Sequence, residues 1–321
     1  MHGKAALGAA LQPGRHPGTI AAMTERRTHL DPRAVVLLLL CCVLWGLQQI
    51  VAKATLPLMA PLAFAALRSA LAALLVWAWA GWRGTPMWRA DGTLPGGLLA
   101  GVVFGLEFIC IYLGLGYTDA SRLVVLVYLA PFVVAIGMPF ITPTEKLSPR
   151  QVGGLALGFA AVALAFSDGL GGHPAGSQRW VGDALAVLAA LLWGATTLTI
   201  RASRLSVAPP EKTLFYQLAV SAVVLAVASA VRGEAWPSVW PPALWASLFF
   251  QSVVVAFASY LAWFWLVRHY PATQLSAFTF LTPLFGLLFG WVLLDEVVTP
   301  ELLLALGGVA AGIWLVNRPR T

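Results

Sequence analysis

Ten predominantly apolar runs, each about as long as a bilayer core is thick, leave this chain few folds to adopt. They cover approximately residues 34–54, 57–81, 95–117, 120–141, 149–167, 181–200, 213–231, 242–267, 272–294 and 300–316, bounded by proline, glycine and charge. A helix rises about 1.5 Å per residue, so roughly 20 residues span the hydrocarbon. The runs do not alternate polar and apolar side chains in segments of about ten, as a membrane barrel requires. Charged residues make up only 10% of the 321 and hydrophobic residues 60%, whereas a soluble domain carries about 25% charge. A water-soluble body of this length would lack the charge to cover its surface. The expected fold is all-α and integral to a membrane, with ten transmembrane helices.

The basic residues orient that fold. If the helices alternate in direction, fifteen of the 20 Lys and Arg lie in segments on the N-terminal side. Lys53, Arg122, Arg179 and Arg232 lie on the other side, and Arg68 is left inside a helix. Excess positive charge marks the cytoplasmic side, so both termini are expected there. Residues 1–33 are polar and lack the apolar core of a signal peptide. They read as a disordered cytoplasmic tail, with Met23 as an alternative start. The net charge of +7 is scattered between apolar runs rather than gathered in a stripe, so a nucleic-acid partner is not expected.

Several chemistries lack their residues. Cys41, Cys42 and Cys110 sit inside apolar runs without metal-ligand spacing, so no disulfide, metal or cofactor is expected. No G-x-x-x-x-G-K-[ST] or H-E-x-x-H sequence occurs. His2, His16, His29 and His173 fall in the tail or a loop, and His269 at a helix end. An enzyme is not expected.

The chain repeats itself. Leu44-Trp45-Gly46 with Lys53 in the first helix matches Leu192-Trp193-Gly194 with Arg201 in the sixth. Ala120-Ser121-Arg122-Leu123 through Leu129-Ala130-Pro131 matches Ala272-Thr273-Gln274-Leu275 through Leu281-Thr282-Pro283. Each stretch is followed by an acidic stop, Glu145 or Asp295-Glu296, and then by a helix start, Ser148-Pro149 or Thr299-Pro300. Two units follow, 34–167 and 181–317. Five is odd, so the second unit enters the membrane from the opposite side and the repeat is inverted, an architecture suited to alternating access.

These landmarks, with Ala66-Leu67-Arg68, Tyr117-Thr118-Asp119-Ala120-Ser121, Glu145-Lys146-Leu147-Ser148 and Pro271-Ala272, resemble the EamA-like branch of the drug/metabolite transporter superfamily. The resemblance spans approximately 34–317. It departs from the family pattern at Pro143-Thr144, where glycine is expected before the acid. The resemblance implies a ten-helix carrier in a bacterial cytoplasmic membrane that moves small metabolites, amino acid-like or drug-like, usually outward. Its partners would be a small-molecule solute, the bilayer and protons. An uncoupled facilitator or exchanger, a lipid-modifying enzyme and a non-transporting scaffold are the alternatives. Substrate, direction, coupling ion and oligomeric state are not legible.

Two charges fall near mid-membrane, where a charge costs on the order of 3 kcal/mol. Arg68 in helix 2 reads as structural. Glu107 in helix 3 reads as a substrate or proton group, with burial and an arginine neighbour acting in opposite senses on its proton. Gln48 and Gln49, after Trp45-Gly46, and Thr196 and Thr197, after Trp193-Gly194, offer uncharged polar groups at matched depths. The expected substrate-binding set is Trp45, Gln48, Gln49, Glu107, Trp193, Thr196, Thr197 and Tyr260. Arg68, Glu107, Pro131 and Pro283 are the structural or coupling residues, the two prolines as matched kinks within helices. Asp119, Asp295 and Glu296 read as solvated caps.

Overall fold

A computed structural model of the chain describes residues 31–141, 148–170, 178–270, 275, 279 and 281–317. Residues 1–30 of the expected tail, Glu145, Pro271 and Ala272-Thr273-Gln274 lie outside the described residues, while 31–33, assigned to the tail from sequence, form the cap and first residues of a helix.

Most helices start where proline starts them. Proline has no N–H to leave unpaired, and its φ suits a first turn. α1 (Pro32–Thr55), α2 (Pro61–Trp82), α3 (Leu94–Gly114), α6 (Pro149–Leu170), α8 (Pro210–Val231) and α12 (Pro300–Asn317) each carry it in the first two positions. Asp31 adds a cap to α1, accepting from the Ala34 N–H at 2.8 Å. Ser148 and Gln151 form a reciprocal capping box, at 2.8 and 3.3 Å, at the head of α6. α2 and α8 end alike: after Arg83 and after Arg232 the chain turns through Gly84 (φ 68°) and Gly233 (φ 65°). The next N–H then returns to Ala80 or Ser229. Only glycine takes this left-handed turn without strain.

Two expected helices differ from the sequence reading. The fourth run is not one kinked helix. It comprises α4 (Ala120–Val127) and α5 (Ala130–Ile141), broken at Tyr128 and Leu129. Pro131 is the second residue of α5, in a first turn where its missing N–H costs nothing. Pro283 is likewise third in α11 (Leu281–Leu294) and is buried. The long eighth run is α9 (Pro242–Phe249), a π-helical stretch Phe250–Ser259, and α10 (Tyr260–His269). π turns are rare and are frequently found at functional sites.

Seven described helical stretches are long and apolar enough to cross a membrane: 32–55, 61–82, 94–114, 120–141, 179–202 (α7), 210–231 and 242–267. Shorter apolar helices cover Leu281–Leu294 and Pro300–Leu315. Large apolar side chains such as Leu40, Leu74, Val223 and Leu304 face outward, where lipid is the solvent.

Without a hydrophobic drive between helices in lipid, small residues bring backbones together. Gly97, Gly101 and Gly105 of α3 lie against Tyr216, Val220 and Val224 of α8. Gly308 and Gly312 of α12 lie against Ala161, Gly154 and Gly158 of α6. Gly46 of α1 meets Thr282 and Phe285 of α11, and Gly194 of α7 meets Ala130 and Val133 of α5. A Cβ on Gly46 would stand 2.7 Å from that of Phe285, and one on Gly194 2.5 Å from that of Val133.

Candidate functional site

Close packing of α1, α2, α3 and the α9–α10 rod buries a polar group with Arg68 at its centre. Arg68 is 0% exposed. Its Nη2 donates to Gln48 Oε1 at 3.5 Å and to the Tyr260 hydroxyl at 3.3 Å. Its guanidinium lies over the Phe108 ring, 4.5 Å from the centroid, an arrangement favoured by the ring quadrupole. Its Nε and Nη1 are buried and donate to no described atom.

One helical turn explains the neighbours. Phe108, Glu107 and Tyr112 share α3, and the last two lie within electrostatic reach of Arg68. Glu107 is 5% exposed, and its Oε2 has no described partner. No ion pair within 4 Å joins it to Arg68 among the described residues. Their interaction is therefore electrostatic only, without contact.

The π-helical stretch supplies the remaining wall. Gln251 donates to the Gln48 backbone carbonyl at 2.7 Å. Ser259 accepts the Trp45 indole N–H at 3.0 Å. Trp45 meets Tyr260 and Trp263 edge-on, with centroids 6.4 and 5.4 Å apart.

Of the residues expected from sequence, Trp45, Gln48, Glu107, Tyr260 and Arg68 come together here. Gln49 is buried on the same helix and makes no hydrogen bond to the group among the described residues. Trp193, Thr196 and Thr197 stand on α7. Trp193 meets Tyr128 edge-on at 5.8 Å, and Tyr128 lies beside Thr282, Cys42 and Tyr260. The Thr196 and Thr197 hydroxyls donate to Leu192 and Trp193 carbonyls of their own helix at 3.0 and 3.2 Å. Phe108 was missed in the sequence, because an aromatic in an apolar run carries no signal of the cation above it.

A second polar group closes one end of the bundle. Lys53, at the end of α1, reaches the Thr118 carbonyl (2.9 Å), Asp119 (3.4 Å) and Glu296 (3.2 Å). Arg179 also pairs with Asp119. Glu296 caps α4 from the other half of the chain, accepting the Ala120 and Ser121 N–H groups at 2.7 and 2.9 Å. Local structure aims it there: Asp295 turns at φ 53°, and Glu296 N–H returns to the Gly290 carbonyl at 3.1 Å. Asp tolerates this left-handed region better than most residues. Glu296 is 7% exposed, so the expectation of a solvated cap is corrected. A recess of about 680 Å³ lies over this group. Deeper, Arg122 and Asp183 are both 0% exposed and joined by contacts of 2.8, 2.9 and 2.8 Å. Arg122 is therefore not the loop charge the sequence suggested.

At the α8 head, Lys212 meets Asp91 at 2.9 Å and the Arg89 carbonyl at 2.9 Å. The Thr93 hydroxyl and the Lys212 ammonium hold the Asp91 carboxyl well below the usual carboxylate range.

The EamA-like transporter family matches residues 32–167 and 180–318. Curated relatives agree over nearly the whole chain. An uncharacterized transporter of Archaeoglobus fulgidus is 27% identical, covering 90% of this chain and 98% of its own. The uncharacterized transporter YvbV of Bacillus subtilis is 29% identical, covering 89% and 92%. A S-adenosylmethionine/S-adenosylhomocysteine transporter of Chlamydia muridarum is 26% identical, covering 90% and 92%. One crystal structure, 21% identical with a TM-score of 0.57, covers 85% of this chain and 95% of its own and shares the fold.

Proposed function

Because the chain belongs to the EamA-like transporter family, we propose that it is a secondary transporter exporting small metabolites across a bacterial cytoplasmic membrane by proton-coupled alternating access. The proposed frame is ten transmembrane helices in two inverted five-helix repeats, with both termini cytoplasmic. Matched packing supports it: Gly46 sits on α11 as Gly194 sits on α5, each against the residues around the proline of that helix. The shared Arg-Gly endings of α2 and α8 support it as well. The positive-inside bias supports the orientation.

The buried Glu107 carboxyl beside Arg68 carries the functional reading. Burying polar groups that the protein leaves without partners is costly, and intramembrane ionisable groups mark solute and proton paths. Glu107 holds either a proton or the cationic part of a solute. Holding one at a time exchanges solute for proton. Trp45, Gln48, Gln49 and Tyr260 are assigned to the solute side, with Trp193 joining the same path through its edge-on contact with Tyr128 and Thr196 and Thr197 one turn further along α7. The relative named for S-adenosylmethionine and S-adenosylhomocysteine supports an amino-acid-derived metabolite as the class of cargo.

The experiment is transport in proteoliposomes under an imposed pH gradient, wild type against Glu107→Gln. Loss of gradient-driven accumulation is the expected result, with residual solute flux insensitive to the imposed pH gradient. Unchanged gradient-driven transport across pH removes Glu107 as the coupling group. Uphill transport that survives collapse of the gradient makes the protein an exchanger.

A further inference from the structure

The end of α2 carries a recess remote from both polar groups described above. The turn through Gly84 sends the Thr85 N–H back to the Ala80 carbonyl at 2.9 Å, so the chain after it folds over the last turns of the helix. Trp77, Ala78 and Gly81 of α2, with Met87, Trp88 and Arg89 of the following segment, line a recess of about 560 Å³. Met87 is buried and anchors that segment, and Trp88 meets Phe215 of α8 edge-on, with centroids 6.1 Å apart. A Cβ on Gly81 would meet nothing within 4 Å, so no described residue packs over it. Trp77 stands four residues back, about 6 Å further toward mid-membrane, and is 48% exposed. At the rim, Arg83 and Arg89 are exposed, and neither makes an ion pair or a side-chain hydrogen bond among the described residues. Asp91 is already held by Lys212 and Thr93, and the Asp91 carbonyl accepts from Arg204 at 3.1 Å. Segments 83–93 and 201–212, which meet here, hold five basic residues against Asp91 and Glu211.

We infer that this recess binds one anionic phospholipid, its phosphodiester at Arg89 in the field of Arg83 and an acyl chain over Gly81 along Trp77. A cationic rim above an apolar floor has the polarity of such a lipid. Guanidinium offers planar paired donors to phosphate oxygens, and basic residues at a membrane face attract anionic headgroups. Tryptophan at the interface is common and selects no lipid by itself. Here two unpaired guanidiniums and an open groove beside Gly81 are added to it. A zwitterionic lipid would bring its own cation against the two arginines, a repulsion between like charges. A free phosphate ion would leave the apolar floor uncovered, whereas an acyl chain removes that surface from exposure and fills the space against Trp77. The volume falls in the range of ordinary ligand sites.

The test uses the purified full-length protein in phosphatidylcholine nanodiscs. Phosphatidylglycerol brominated on its acyl chains is added at low mole fraction, and tryptophan quenching is compared with that by phosphatidylcholine brominated in the same way. The expected result is stronger quenching by the glycerol lipid, reversed by unbrominated phosphatidylglycerol. Arg83→Gln and Arg89→Gln should each lower the preference about 5-fold, and the double variant should bring the two lipids level. Arg83→Lys with Arg89→Lys should keep most of the preference. Trp77→Phe should remove much of the excess quenching, while Trp236→Phe, an exposed tryptophan beyond the opposite end of α8, should leave it. Gly81→Leu places a side chain in the groove and should abolish the preference without lowering the melting temperature. Equal quenching of the wild type by the two lipids overturns the assignment, and that comparison stands even if a variant does not fold. An excess that survives Gly81→Leu, or that Trp236→Phe reduces as much as Trp77→Phe does, overturns it too, since surface charge alone then accounts for the preference. Displacement by millimolar inorganic phosphate as complete as by the unbrominated lipid makes the site one for a free anion and overturns the lipid.

Discussion

Asp183→Asn is the perturbation whose cost the structure defines best. The substitution is nearly isosteric, so packing around the head of α7 is unchanged, and the loss is electrostatic. Arg122 would keep one neutral acceptor in place of a carboxylate held at 2.8 and 2.9 Å by Nε and at 2.8 Å by Nη2. With both partners at 0% exposure, water cannot replace the missing charge. At about 4 Å between charge centres and an effective dielectric near 20, the pair is worth about 4 kcal/mol. Breaking buried pairs by removing one partner costs about 3–5 kcal/mol. The retained amide acceptor returns about 1 kcal/mol, leaving an expected loss of about 3 kcal/mol. Reversible unfolding in mixed micelles measures it. Arg122→Gln combined with Asp183→Asn leaves two neutral amides and should lose less than Asp183→Asn alone. A single-variant loss below about 1 kcal/mol, as for an exposed pair, would refute the reasoning. So would simple additivity of the two single losses in the double variant.

Two further outcomes follow from the same geometry. A Cβ on Gly101 would stand 2.5 Å from that of Val220 and 2.6 Å from the Tyr216 carbonyl oxygen. Gly101→Ala should therefore cost about 1–3 kcal/mol in the same unfolding assay, whereas Gly153→Ala, with nothing within 4 Å, should be near neutral. The Asp91 carboxyl is held below its ordinary value of 3.8 by Thr93 and Lys212, so its stabilising contribution is full above that pH and fades as the pH falls further. The melting-temperature gap between wild type and Asp91→Asn should be flat above about pH 5 and close on acidification; a gap that widens in acid contradicts the pairing.

Features that depend on local chemistry were legible in the sequence, and features that depend on distant partners were not. Proline starts, the Ser148 cap and the apolar runs all act within a few residues, so helix positions follow closely from sequence. Arg68 and Glu107 stood out because charge inside an apolar run is costly wherever it goes. Whether they touched could not be read, since that depends on how α2 meets α3. The π-helical stretch was hidden because Gln251, Ser252 and Ser259 are too few polar positions in Phe250–Ser259 to betray a change of pitch. Asp183 was overlooked although it also interrupts an apolar run; its position near a helix start made it resemble an ordinary first-turn acid. The Gly97-Gly101-Gly105 spacing was in plain view, and it names the face of α3 that meets α8.

Glu296 shows how much one distant partner can carry. It satisfies two N–H groups at the head of α4 and one ammonium, Lys53, while standing at the end of α11. A helix head carries a partial positive charge as well as unpaired donors, so an acid there is favoured twice. Withdrawing α11 from α4 would strip both N–H groups and Lys53 of that acid in one step. Asp119 would retain Arg179, so the remainder of the group would stay paired. The cost of opening this end therefore concentrates on a single side chain. That side chain is held in place by Asp295, whose left-handed turn is itself less stable than an ordinary one. A separation of a few ångströms between α11 and α4 would be enough to break these hydrogen bonds, while the buried Arg122–Asp183 contact keeps α4 and α7 joined.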